Sequence, residues 1–269
     1  MQPSFPAHAL LAAAVLFIAG PAHALSTESG TLGFSIALRD LNPADGIAPS
    51  LTLDPRSRSV VFAGQASPTA SASWTQQGDS AFGAVSARGE VDGTGGAASF
   101  TGGSDAGTEM AASAFGGPSL DVGSSMAYVS TPSFGQGNFV LGPRTEVTLV
   151  AWVTIDWSAS NPGATTSGEA DLSLWRFAGD SQELVEQRYV TGGYYGDGVG
   201  DLSGSTSGAM GIVFDNDSDA SVLMGLDLAL FSNASELETV PPPVDEPAVA
   251  ALLLAGMSTL LWRARRRIS

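Results

Sequence analysis

The chain contains no cysteine and, read along its length, no lysine. Its two histidines, His8 and His23, both fall within the first 25 residues. Positive charge is scarce: 11 arginines stand against 27 Asp plus Glu. Four of those arginines crowd into the last seven positions, so residues 25–244 hold 25 acids and 7 arginines, a net charge of −18.

Each absence excludes some chemistry. Without disulfides, stability must come from packing, and roughly 200 residues suffice for one core. A body without His, Cys or Lys builds no Ser-His-Asp triad, Cys-His pair, Schiff base or P-loop lysine. Imidazole and thiolate ligands for zinc, copper or iron are missing too. The negative excess repels phosphate backbones, which argues against a nucleic-acid partner. A body so limited is expected to bind or build, not to catalyse.

Two apolar segments frame the chain. The first, Ala9 to Ala19, is about eleven residues long and precedes Gly20-Pro21 and then Ala22-His23-Ala24. It is too short for a comfortable membrane span. Small side chains at Ala22 and Ala24 fit the shallow pockets of a signal peptidase, so residues 1–24 read as a secretory signal cut before Leu25. The n-region departs from the usual pattern in having no Lys or Arg.

The second segment is more specific. A proline-rich stretch, 240–247, ends in Asp245-Glu246-Pro247, and an apolar run follows over 248–262. Fifteen residues make about 22 Å of helix, short for a bilayer core of about 30 Å. Snorkelling arginines extend its reach. Trp262 suits the membrane interface, and Arg263, Arg265, Arg266 and Arg267 set orientation by the positive-inside rule. Residues 263–269 then face the cytoplasm and everything before Pro247 faces outward. Pro241 to Pro243 keep the stretch before the span extended and reachable.

This order of motif, helix and basic end resembles the PEP-CTERM sorting signal of Gram-negative bacteria that make exopolysaccharide. Glu246-Pro247 matches the family's Glu-Pro, while Asp245 stands where the family has its first proline. The run Leu252, Leu253, Leu254 and Gly256 also fits. The resemblance covers about 25 residues. It implies anchoring in the inner membrane with the body in the periplasm, recognition by an exosortase-like processing enzyme, and transfer to the cell surface or extracellular matrix.

Between the signals, residues 25–239 show period-two alternation broken every 8–15 residues by turn signals, with no helical periodicity of useful length. The clearest strand runs from Thr145 to Trp157, with Val147, Leu149, Ala151, Val153, Ile155 and Trp157 on one face and Trp152 on the other. A second runs from Ser221 to Phe231. Further strands are expected at 169–177, 183–190 and 207–214, and weaker ones at 59–63, 70–76, 82–88, 110–115 and 126–130. The stretches 93–107 and 192–204 read as glycine-dense, mobile connections. The expected fold is all-β, a single antiparallel β-sandwich of jelly-roll type, flanked by a signal helix and a transmembrane helix.

Candidate chemistry is sparse. Asp215, Asp217 and Asp219 alternate as calcium ligands do, but Ala220 and Leu226 stand where an EF-hand needs Gly and Glu. Turn chemistry accounts for the cluster on its own, with calcium as the alternative. The loop Tyr194 to Asp201 has the Asp-Gly-x-Gly-Asp spacing of calcium-stabilised loops at Asp197 to Asp201, but as one copy without flanking acids it reads as a flexible surface loop. Asp156, Glu169, Asp171 and Asp227 lie on or beside strands, so a glycosidase-like carboxylate pair is conceivable, though nothing singles one out. Trp152, facing away from the apolar row, is the candidate for stacking on a sugar ring. No cofactor is expected, calcium aside. The reading is a non-catalytic surface or matrix protein associated with exopolysaccharide or biofilm; a carbohydrate-binding module is the alternative, and a glycoside hydrolase ranks below it.

Overall fold

The computed structural model describes residues 25–67, 70–101, 108–116, 121–130, 137–179, 181–196 and 200–236. Among these, the chain is all-β and contains no helix long and apolar enough to cross a membrane. The strands are β1 (Ser26–Asp40), β2 (Leu51–Leu53), β3 (Arg58–Ala66), β4 (Ser71–Gln77), β5 (Val85–Val91), β6 (Thr94–Thr101) and β7 (Thr108–Gly116). They continue as β8 (Val122–Ser130), β9 (Phe139–Leu141), β10 (Thr145–Ser158), β11 (Thr165–Ala178), β12 (Ser181–Tyr194), β13 (Ser203–Asn216) and β14 (Val222–Ser235).

They form two antiparallel sheets. Sheet A has the order β13-β10-β1-β7-β6-β5, and sheet B has the order β12-β11-β14-β8-β3-β4, with β9 joined to β14 and β2 to β9. Strands of one sheet pack across one or two strands of the other: β13 on β12, β10 on β12 and β11, β1 on β14 and β11, β7 on β14 and β8, β6 on β8 and β3, and β5 on β3 and β4. Several of these facing pairs are consecutive in the chain, so the chain repeatedly arches from one layer to the other.

The long strands form for the reason their alternation suggests. On β10, Val147, Leu149, Ala151, Val153 and Ile155 are buried between the layers, and Met224, Leu226, Leu228 and Leu230 do the same from β14. Full burial of such side chains contributes about 1.5–3 kcal/mol each. Between β5 and β6, Asp92 (φ 50°) and Gly93 (φ 82°) make a two-residue turn with both residues left-handed. That is the twist-matched hairpin an Asp-Gly pair favours.

Several expectations need correction. Residues 94–101 were expected to lie in a loose connection but form β6, whose inward positions Gly96 and Ala98 are too small to show an apolar alternation. The stretch 192–204 likewise begins inside β12 and ends inside β13. Strand β1 was not expected at all, and β2 and β9 are three residues each. The remaining strands exceed or shift from their expected bounds by a few residues, as frayed sheet ends commonly do.

The interior is graded along the strands. From mid-strand toward one end, Phe34 stacks on Phe82 with ring centroids 5.8 Å apart, and Phe100, Met110, Leu172 and Leu226 fill the space between the sheets. Toward the other end the inward residues shrink and become polar: Ser26, Glu28 and Gly30 on β1, Ser232 and Ala234 on β14, Ser125 on β8. The layers nearly touch there. A Cβ at Gly96 would sit 2.3 Å from the Ser124 carbonyl oxygen, and one at Gly123 would sit 2.2 Å from that of Gly95. Only glycine permits so close a backbone approach.

Candidate functional site

Trp152 stands on the outer face of sheet A and is 55% exposed. Its register neighbours are Ala209 on β13 and Gly33 on β1. A Cβ at Gly33 would lie 4.0 Å from Trp152 Cε3, so the indole leans over that glycine and its flanks stay open. The row continues through Glu109 on β7 to Thr101 on β6. An indole rising from small and hydroxylated neighbours can stack on an apolar ring face.

The other tryptophans of the described body are half-buried. Trp157 packs against the core, and Trp74 fills the far edge of the sandwich, where a Cβ at Gly89 would overlap its ring at 1.7 Å. Trp175 Nε1 donates to Asp227 Oδ2 at 2.7 Å on the outer face of sheet B.

The Asp215–Asp219 segment is a turn braced by its own residues. Asn216 Nδ2 donates to the carbonyls of Gly142 (2.7 Å) and Ala220 (2.9 Å), and Ser218 Oγ donates to Asn216 Oδ1 (2.7 Å). Arg144, held at φ 51°, donates through Nε and Nη2 to Asp219 Oδ1 (3.0 and 2.7 Å) and through Nη1 to the Asp217 carbonyl. Asp215 instead lies beside the Arg39–Glu146 pair. The Asp219 carboxylate is thus taken by Arg144, the Asp215 carboxylate lies by Arg39, and Asp217 joins the brace through its backbone carbonyl; among the described residues no three acidic groups gather to hold a metal.

The acids weighed as a catalytic pair divide between the two outer faces. Asp156 lies on sheet A; Glu169, Asp171 and Asp227 lie on sheet B. Asp171 accepts from Ser173 Oγ and Gln187 Nε2, both at 2.6 Å. Partial burial raises the Asp227 carboxyl above its ordinary range; the Trp175 indole opposes that rise and the Asp171 charge adds to it. Asp171 and Asp227 are thus neighbouring hydrogen-bond acceptors on one face.

The residue that sequence reasoning missed is Glu28. It points inward from β1, is 1% exposed, and a Cβ at Gly168 on β11 would lie 2.2 Å from its Oε1. Burial drives its carboxyl from the ordinary range up to about 8; the Ser232 hydroxyl facing it lowers that value, and the Asp156 charge raises it. No hydrogen bond of normal geometry reaches either oxygen, which makes burial the dominant influence.

Next to Glu28, the two ends of the body meet. The Ser26 amide donates to Glu236 Oε1 at 2.8 Å, and Ser26 Oγ accepts from the Ser160 amide at 3.0 Å. Leu25, the residue after the expected signal cut, is exposed beside this junction. Ala22 and Ala24, the motif Asp245-Glu246-Pro247, the apolar run 248–262, Trp262 and Arg263, Arg265, Arg266 and Arg267 lie outside the described residues.

No family model matches this chain, no curated protein is detectably similar to it in sequence, and no solved structure matches its fold. The functional reading therefore rests on the chain's own residues.

Proposed function

We propose that this is an exported, non-catalytic β-sandwich protein with jelly-roll-like winding, held at the inner membrane by a C-terminal span. A PEP-CTERM-like signal then routes it to the cell surface or extracellular matrix, where it associates with exopolysaccharide. The observation that supports this best is the Ser26–Glu236 junction. It holds Ser26 and Glu236, the described residues at the two edges of the body, together at one end of the sandwich. Cuts before Leu25 and near Glu246 would remove chain on the outer side of that junction and leave the strands it joins intact. The acid excess fits the same role. Arg39, Arg56, Arg88, Arg144 and Arg188 are each paired locally with a carboxylate, so most of the negative field stays uncompensated and favours a dispersed, hydrated protein.

The test is to replace Glu246 and Pro247 with alanine in the producing cell. The variant is expected to stay in the inner-membrane fraction while the parent protein reaches the surface or medium. Equal surface delivery of both would overturn the sorting reading.

The exposure of Trp152 favours a second reading, a carbohydrate-binding module on sheet A. Polysaccharide binding lost on Trp152→Ala would support it. Glycoside hydrolysis abolished at Asp171 or Asp227 would overturn both readings.

A further inference from the structure

One end of the sandwich holds a cleft of about 390 Å³, bounded by the end of β10, the end of β12 and the start of β13. That volume lies within the roughly 300–1,000 Å³ typical of small-ligand sites. Its aromatic side is built from Trp157, Tyr194 and Tyr195, and its polar side from Asp201, Ser203 and Ser205.

The aromatic side is held in place from behind. Trp157 is seated against Gly204, where a Cβ would lie 2.4 Å from its Cζ2. Tyr194 is buried; its hydroxyl donates to the Pro162 carbonyl at 3.0 Å and its amide to Thr166 Oγ1 at 3.1 Å. Gly193 has φ 144° and a Cβ there would sit 2.1 Å from the Thr166 carbonyl oxygen, so the chain can turn between β12 and the cleft only with glycine. The turn sends Tyr194 inward and leaves Tyr195 62% exposed at the rim. Asp201, Ser203 and Ser205 are exposed on the opposite side.

We infer that this cleft binds a neutral sugar ring, one or two residues of a polysaccharide chain. Tyr195 offers a flat face for the C–H side of a pyranose. The Asp201 carboxylate and the two serine hydroxyls take its hydroxyl groups, with the carboxylate forming the stronger, charge-assisted bonds. Among the described residues no basic side chain lines the cleft, and Asp201 repels anions, so uronates and phosphorylated sugars are disfavoured. The inference rests on the exopolysaccharide association proposed above and names the chemistry of that partner. It places the contact at the cleft and not at Trp152, which stands on the outer face of sheet A.

The test titrates the purified full-length protein with neutral hexasaccharides (gluco-, manno- and galacto-configured) and an oligouronate of equal length, by calorimetry and tryptophan fluorescence. One neutral series is expected to bind at least about tenfold more tightly than the oligouronate. Tyr195→Ala and Asp201→Asn should each weaken it by about tenfold or more, while Trp152→Ala changes it less than about twofold. Tyr195 and Asp201 are exposed, so an unchanged melting temperature will show that both variants still fold. Absence of binding by every neutral series, preference for the oligouronate, or loss on Trp152→Ala with retention in Tyr195→Ala would each overturn the inference. Because binding is read in vitro, its failure leaves the sorting reading standing, and a failure of surface delivery leaves the binding result standing.

Discussion

The two ends of the sandwich are built on opposite principles. From mid-strand toward one end, Phe34, Phe82, Phe100, Met110 and Leu172 hold the sheets apart and close the core with apolar volume. At the other, glycines let the backbones nearly touch, and the interior admits Ser26, Glu28, Ser125 and Ser232. The first end supplies most of the apolar burial that opposes chain entropy. The second carries the buried Glu28 carboxyl, the Ser26–Glu236 junction and the cleft beside Trp157. Stability and candidate function are therefore separated along the strand direction, and perturbing each end should have a distinct signature.

The largest expected effect comes from Glu28. Its carboxyl keeps its proton up to about pH 8 in the folded protein but ionises near 4.5 once unfolded. The folded state thus binds the extra proton across that window, so stability is greatest below it and falls as pH rises through it, by roughly 5 kcal/mol in all. Denaturant melts at pH 5 and pH 9 should show that loss in the parent protein and little of it in Glu28→Gln. Parallel pH profiles for the two would remove the buried charge from the account.

Next is the apolar mid-strand core, where Leu172 is fully buried. Leu172→Ala should cost about 2–5 kcal/mol at every pH, because the cavity it leaves does not depend on protonation. A loss that varied with pH would mean that the two ends are not separable.

A smaller effect is expected at the pinched end. A Cβ at Gly168 would collide with Glu28 Oε1 and sit 2.6 Å from Ile155 Cγ2. Gly168→Ala should destabilise by about 1–3 kcal/mol through overpacking. Part of that loss should be relieved when Glu28 is shortened to alanine, a coupling that a double-mutant cycle reads directly. Strict additivity would contradict the contact.

The smallest effect on stability belongs to Trp152→Ala. The side chain is exposed and leans on a glycine, so the change should stay within about 0.5 kcal/mol in a thermal melt. A larger loss would show that the indole contributes to holding β1 against β10.

The same gradient explains what was legible in the sequence. Strands β10 and β14 announce themselves because their inward rows are Val, Leu, Ile and Met. The parity of β10 alone sends Trp152 outward, where the structure has it. Strand β1 hides because its first inward positions are Ser26, Glu28 and Gly30, and apolar alternation begins only at Leu32. Strand β6 hides behind Gly95, Gly96 and two alanines for the same reason, the close approach of the layers. Sequence reasoning also placed Asp215, Asp217 and Asp219 at a turn, but not the part of Arg144, a residue 75 positions from Asp219, in bracing it. Trp157, Tyr194 and Tyr195 are visible in the sequence as aromatics, but their assembly into a cleft is not. The cleft is assembled from the ends of three strands, and its walls depend on Gly193 and Gly204, whose contribution is the absence of a side chain.

The proposed release of the folded body from a signal at each end requires both cuts to fall outside the Ser26–Glu236 junction. Intact-mass spectrometry of the protein recovered from the surface or medium of the producing cell tests it most directly. The expected product is a chain that starts at Leu25 and ends near Glu246, without Trp262 and the four C-terminal arginines. A surface protein that still carries the arginine tail, or one whose termini fall inside β1 or β14, would contradict it.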